Sequence, residues 1–119
     1  MRELIRIQKR ENLNKVYAVD EKAPKMNANH EYKIELPDEL GSVNINFQHG
    51  PRKDHNSTNG IIDSDLLEIV RDRLTGFQSG DFPSKYNAKA LEHLEIALMY
   101  LNRRVEDRIE RNVLGTYEK

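Results

Sequence analysis

The 119-residue chain has no cysteine. That excludes a disulfide framework and any thiolate metal site. It also lacks net charge: 19 Lys and Arg stand against 20 Asp and Glu, for a formal −1. No global positive field announces a nucleic-acid polymer, so any anion site must be local. No apolar run approaches the ~18 residues that suggest a membrane-spanning helix. The opening MRELIRIQKR lacks the continuous apolar segment of a secretory signal. A soluble cytoplasmic protein with no membrane partner is the expectation. Catalytic signatures are missing too. No Ser–His or His–carboxylate arrangement stands at informative spacing. His49 and His55 have no carboxylate or thiolate companions at metal-ligand spacing. No catalytic residue, metal or cofactor is therefore expected.

What is present is a modest apolar fraction, 37%, beside 33% charged residues. This suffices for one small domain, or two small pieces sharing a core. Chains of this kind often complete their cores by oligomerising.

The first 48 residues read as a small antiparallel sheet of three or four strands. Segment 3–8 mixes apolar and polar positions, and 11–14 is rich in turn formers. Segment 15–20 carries Val16, Tyr17 and Val19. Segment 30–36 alternates, with Tyr32, Ile34 and Leu36 on one face, and 42–47 alternates with Val43, Ile45 and Phe47. Such a sheet is marginal alone, and the following helices are its expected cover. The expected division is a β region over 1–48, a loop over 49–61 and a helical hairpin over 62–119. The loop holds Gly50-Pro51, Asn59-Gly60, Arg52, Lys53, His49 and His55. It is either a solvated linker or a binding loop.

The hairpin is the best-marked part of the chain. A first helix starts near Asp63 or Ser64, both good N-caps, with Asp65 and Glu68 in the first turn. Leu66, Leu67, Val70, Leu74 and Phe77 recur at helical spacing, and Gly76 and Gly80 bracket the end. A second helix begins between Ser84 and Asn87 and runs to about Asn112. Leu91, Leu94, Leu98, Leu101, Val105 and Ile109 form a near-heptad seam along it. A second helix of about 40 Å outreaches a first of about 24 Å. The excess predicts a homodimer in which the second helices pack together. Arg104, Arg108 and Arg111 share one face near its end, followed by Gly115-Thr116-Tyr117. Spacing alone leaves two readings for this row: a salt-bridged solvent face with Glu106, Asp107 and Glu110, or a phosphate grip. Phe77 likewise either closes the apolar stripe or faces a ligand.

Taken in order, NFQHGP, NGI, DLLEIVRDRLTGFQSGDF and NRRVEDRIERNVLGT resemble the helical hairpin of phage anti-defence sponges that block Thoeris and CBASS immunity. The resemblance spans about residues 43–118. It implies an α+β fold: a small N-terminal antiparallel sheet, then a dimerising helical hairpin with one long helix. It implies a non-enzymatic protein that sequesters, without cleaving, the cyclic ADP-ribose isomers made by bacterial TIR proteins. Some family members also hold cyclic di- or trinucleotides at a separate site, and the dimers assemble further, as in a hexamer. By resemblance Phe77 would stack the adenine, and Gln78, Asn87 and Thr116 would line the pocket. Arg104 and Arg108 would grip the phosphates, and Arg52 would serve the second site. The chain departs from the frequent family ending RGVEGT, having RNVLGT at 111–116, and has Asp81-Phe82-Pro83 and Tyr86 where small residues are frequent. A helical protein-interaction module is the alternative reading.

Overall fold

A computed structural model describes all 119 residues. Four strands, β1 Arg2–Glu3, β2 Lys15–Ala18, β3 Glu31–Glu35 and β4 Ser42–Asn46, precede two helices, α1 Asp63–Ser79 and α2 Lys85–Glu110. The strands form an antiparallel meander in the order β1-β2-β3-β4. The expected α+β architecture, sheet first and hairpin second, is the observed one.

Alternation along the strands is converted by register into two unlike faces. Val16, Ile34 and Val43 align across the sheet, as do Ala18, Tyr32 and Ile45. The intervening rows are Lys15, Glu35 and Ser42, then Tyr17, Lys33 and Asn44. On the polar side the Lys33 ammonium lies 5.4 Å from the Tyr17 ring centroid. On the apolar side Tyr32 meets Phe47 edge to face at 5.6 Å. Ala18 is the only fully buried apolar residue.

Segment 3–8 is not the strand that its composition suggested. Pairing stops after Glu3, apart from a hydrogen bond from the Leu4 amide to Val16. Ile5 and Ile7 are fully exposed. Side chains take over the backbone groups that a ladder would have used. Arg6 donates to the Asn14 carbonyl, Gln8 to those of Arg10 and Glu11, and Asn12 to that of Gln8.

A polar knot closes the long β2–β3 connection. The Asp20 carboxylate accepts from the His30 and Glu31 amides and from the Asn29 side chain. Asn29 in turn accepts from Arg2 at 2.9 Å. His30 is buried and stacks on His49, with ring centroids 4.0 Å apart. Burial works to raise the Asp20 pKa, but these donors outweigh it and hold the carboxyl below its usual value. A depressed carboxylate stabilises the fold above its unfolded pKa of about 3.9, and that contribution is lost as pH falls through the folded value. Asp20→Asn is therefore expected to cost about 1–2 kcal/mol at neutral pH. It should also flatten the acid limb of the sheet's unfolding below about pH 4, followed by circular dichroism.

The chain divides into two compact units, residues 1–49 with 57–61 and residues 50–56 with 62–119. The connection expected over 49–61 is thus shared. Its second part returns to the sheet, where Ile61 bridges Phe47 and Thr58 bridges His49. Gly60 permits this approach: an added Cβ would lie 2.7 Å from the Phe47 carbonyl carbon. Residues 50–56 group instead with the helices.

In the hairpin, α1 begins one residue earlier than its N-cap candidates imply. Ile62 holds the extended N-cap position, and Asp65 accepts from its amide at 2.9 Å. Asp63 and Ser64 are already helical, because Asp65 supplies the reciprocal carboxylate that anchors the turn. Ser84 caps α2, accepting from the Tyr86 and Asn87 amides. At 26 residues α2 is roughly 39 Å long, against about 25 Å for the 17 residues of α1. It ends at Glu110, short of Asn112, whose φ of 57° is left-handed.

The two helices pack against each other, and Arg71 of α1 bridges Glu95 of α2 at 2.9 Å. Leu91, Leu94, Leu98, Leu101 and Val105 are half-buried, whereas Ile109 at the far end is 49% exposed. Neither helix contains a fully buried residue. Most of the leucine seam is thus half-buried within the chain. A different row, Ile96, Met99 and Tyr100, lies open on α2.

Candidate functional site

The connector end of the hairpin gathers three of the residues singled out by sequence. Phe77 stands in the last turn of α1, 44% exposed. The Arg73 guanidinium lies 5.5 Å from its ring centroid, a contact made by i, i+4 spacing. Gln78 reaches across the connector, its Oε1 accepting from the Ser84 amide at 2.9 Å. Ser84 then accepts from the Asn87 amide, so Gln78, Ser84 and Asn87 are tied in sequence. The side-chain amide of Asn87 stays unengaged and half-buried in the first turn of α2. No acidic side chain occupies that turn to offset the positive end of the helix dipole.

Phe77 is accordingly not the buried end of an apolar stripe. It is an aromatic ring with a cation beside it and part of its surface open. In the sequence Arg73 reads only as a basic residue in the later turns of α1, where the helix dipole favours it. Its position four residues before Phe77 was the available signal.

The other end of α2 separates the arginines. Arg104 is exposed and makes no hydrogen bond or ion pair within the chain. Arg108 is half-buried, and its Nη2 donates to the carbonyls of Val113 and Thr116 at 3.0 and 3.1 Å. Arg111 is paired with Asp107 at 3.0 Å and also donates to the Lys119 carbonyl. The row that spacing placed on one face thus contains one free cation, one cation locked to the tail and one neutralised by its neighbour. Thr116 uses its hydroxyl locally, donating to the Val113 carbonyl at 2.6 Å and accepting from the Glu118 amide.

Loop 50–56 belongs to the same unit. Arg52 is exposed there. Its neighbour Lys53 donates its backbone N–H to the Gly115 carbonyl at 3.2 Å. Gly115 has a φ of 76°, a left-handed conformation that suits glycine.

The two clusters do not meet within one chain. Asn87 and Arg104 are separated along α2 by about 25 Å, and Asn87 and Arg108 by about 31 Å. Phe77, Gln78 and Asn87 lie at the connector end, and Arg104, Arg108 and Thr116 at the tail end.

These features define a class: a small antiparallel sheet followed by a helical hairpin, with an aromatic–amide cluster at one end and a cationic cluster at the other. Residues 39–106, more than half of the chain, match the family model of the Acb2/Tad1 hairpin domain, and the chain belongs to this family. It is also similar to a protein named Thoeris anti-defense 1 from Bacillus phage SBSphiJ7, with 42% identity over 88 residues. That alignment covers 73% of this chain and 61% of the relative, so the chain spans about three fifths of the relative's length.

Proposed function

We propose that this protein is a phage anti-defence sponge of the infected host's cytoplasm, which binds cyclic ADP-ribose isomers and holds them uncleaved. The observation that carries the reading, on a chain of this family, is the free Arg104 guanidinium beside a tail-locked Arg108. Arginine forks match phosphate oxygens bidentately, and a guanidinium already held in place loses less freedom on binding. An open aromatic ring and an unengaged amide are the complementary groups for a purine and its ribose.

The separation of the two clusters makes the pocket composite. Asn87 and Arg108 each lie two residues from an end of α2. A two-fold axis through the middle of α2 would set Asn87 opposite Arg108 of the partner subunit. Ile96, Met99 and Tyr100, 38%, 61% and 70% exposed, lie on the other face of α2 from Asn87. The expected dimer packs second helix on second helix, and a contact that joins the two clusters has to include the α2 face that carries Asn87 and Arg108, the face of the leucine seam. The same dimers would be the units of any larger assembly, including a hexamer. Arg52 remains the proposed cation of a second site for cyclic di- or trinucleotides.

The deciding experiment incubates the full chain with a TIR-derived cyclic ADP-ribose isomer, removes free ligand and then denatures the protein. Intact ligand released on heating supports sequestration. A converted product points to an enzyme. Absence of depletion removes this ligand and leaves the interaction-module alternative.

A further inference from the structure

We infer that Lys53 is a further ligand-contacting cation of the tail-end cluster and that Gly115 is the residue that positions it. The inference rests on the sponge reading of that cluster.

Lys53 comes from a loop for which the sequence allows a solvated linker or a binding loop. Two contacts, and the place of the residue that makes them, remove it from the linker class. Its backbone N–H donates to the Gly115 carbonyl. Its aliphatic stem lies over the Gly115 α-carbon: an added Cβ there would sit 3.2 Å from Cγ, 3.6 Å from Cδ and 3.7 Å from Cε of Lys53. Gly115 itself lies between Val113 and Thr116, the two residues whose carbonyls hold Arg108. Loop, tail and arginine therefore form one connected structure inside the helical unit.

The ammonium at the end of this stem has no carboxylate or carbonyl partner in the chain, and Lys53 is exposed. Most exposed lysines range over many rotamers, and ordering one opposes binding. Here the first part of the stem already rests on the tail. The cation is thus carried on the same support as Arg108, and less freedom remains to be lost when an anion arrives. Arg104, Arg108 and Lys53 together offer more positive charge than a single phosphodiester requires. They suit a ligand with two adjacent negative charges, as in a pyrophosphate. Glycine at 115 serves this arrangement twice. It adopts the left-handed φ without strain, and its missing Cβ leaves room for the lysine stem.

The test uses the full chain and a TIR-derived cyclic ADP-ribose isomer, titrated at low and high salt. Lys53→Ala should weaken binding about tenfold at low salt, the scale of one charge-assisted hydrogen bond. Its affinity should also fall less steeply with salt than the wild type's, because one screened charge is gone. Lys53→Arg should restore most of the affinity and the salt response. Gly115→Ala should weaken binding comparably by displacing the lysine stem. The melting temperature and oligomeric state of Lys53→Ala should match the wild type. Unchanged low-salt affinity in Lys53→Ala overturns the inference while wild-type binding keeps the sponge reading intact. Loss of binding that tracks a fall in melting temperature, or that Lys53→Arg does not rescue, assigns Lys53 a structural role and also overturns it. A wild-type chain that binds no ligand removes the reading and the inference together.

Discussion

Arg104→Ala is expected to weaken retention of a cyclic ADP-ribose isomer by about ten- to a hundredfold, the range for losing a charge-assisted hydrogen bond to phosphate. The hairpin should stay as stable as before. Arg104 is exposed and makes no hydrogen bond or ion pair within the chain, so its removal should cost the fold little. Arg108→Ala should behave differently. Its guanidinium ties the Val113 and Thr116 carbonyls, and truncation leaves the Thr116 carbonyl without its donor, while that of Val113 keeps the Thr116 hydroxyl and amide. Binding and thermal stability should fall together. Calorimetric titration beside a melting curve separates the two outcomes. Normal binding by Arg104→Ala would remove this arginine from the site.

A mixture of two inactive chains should bind. Phe77→Ala and Arg104→Ala each disable one half of the composite pocket. In a mixed dimer, one pocket inherits both lesions and the other inherits neither. Random association makes about half the dimers mixed, each with one of two pockets intact. The mixture, refolded together, should recover roughly a quarter of wild-type capacity. A pocket built within one chain would recover nothing, since every such pocket would carry a lesion. The physical basis is length: the interval of about 25 Å between Asn87 and Arg104 along a rigid helix cannot be closed by bending a side chain.

Much of the architecture could be read from local pattern. Strand alternation at Tyr32, Ile34, Val43 and Ile45 follows from the two-residue period of a strand. The spacing of Leu91, Leu94, Leu98 and Leu101 follows from the helical period. Ser84 announced the start of α2 because a hydroxyl before a helix meets otherwise orphaned amides. Segment 3–8 misled, because its isoleucines alternate like a strand but the polar side chains of Arg6, Gln8 and Asn12 satisfy the backbone locally. The cap of α1 misled because Asp65, three residues on, anchors the turn and frees its N-cap position for Ile62.

Sequence by itself determined the order of sheet and hairpin, the greater length of α2 and the candidate residues, since each depends on periodicity or motif within one segment. Tertiary structure decided the rest. It half-buried most of the leucine seam, left Ile96, Met99 and Tyr100 more open, and distinguished Arg104 from Arg108 and Arg111. It also brought Lys53 onto Gly115 across some sixty residues of chain. Those outcomes depend on which side chains find partners at a distance, and residue spacing carries no information about that.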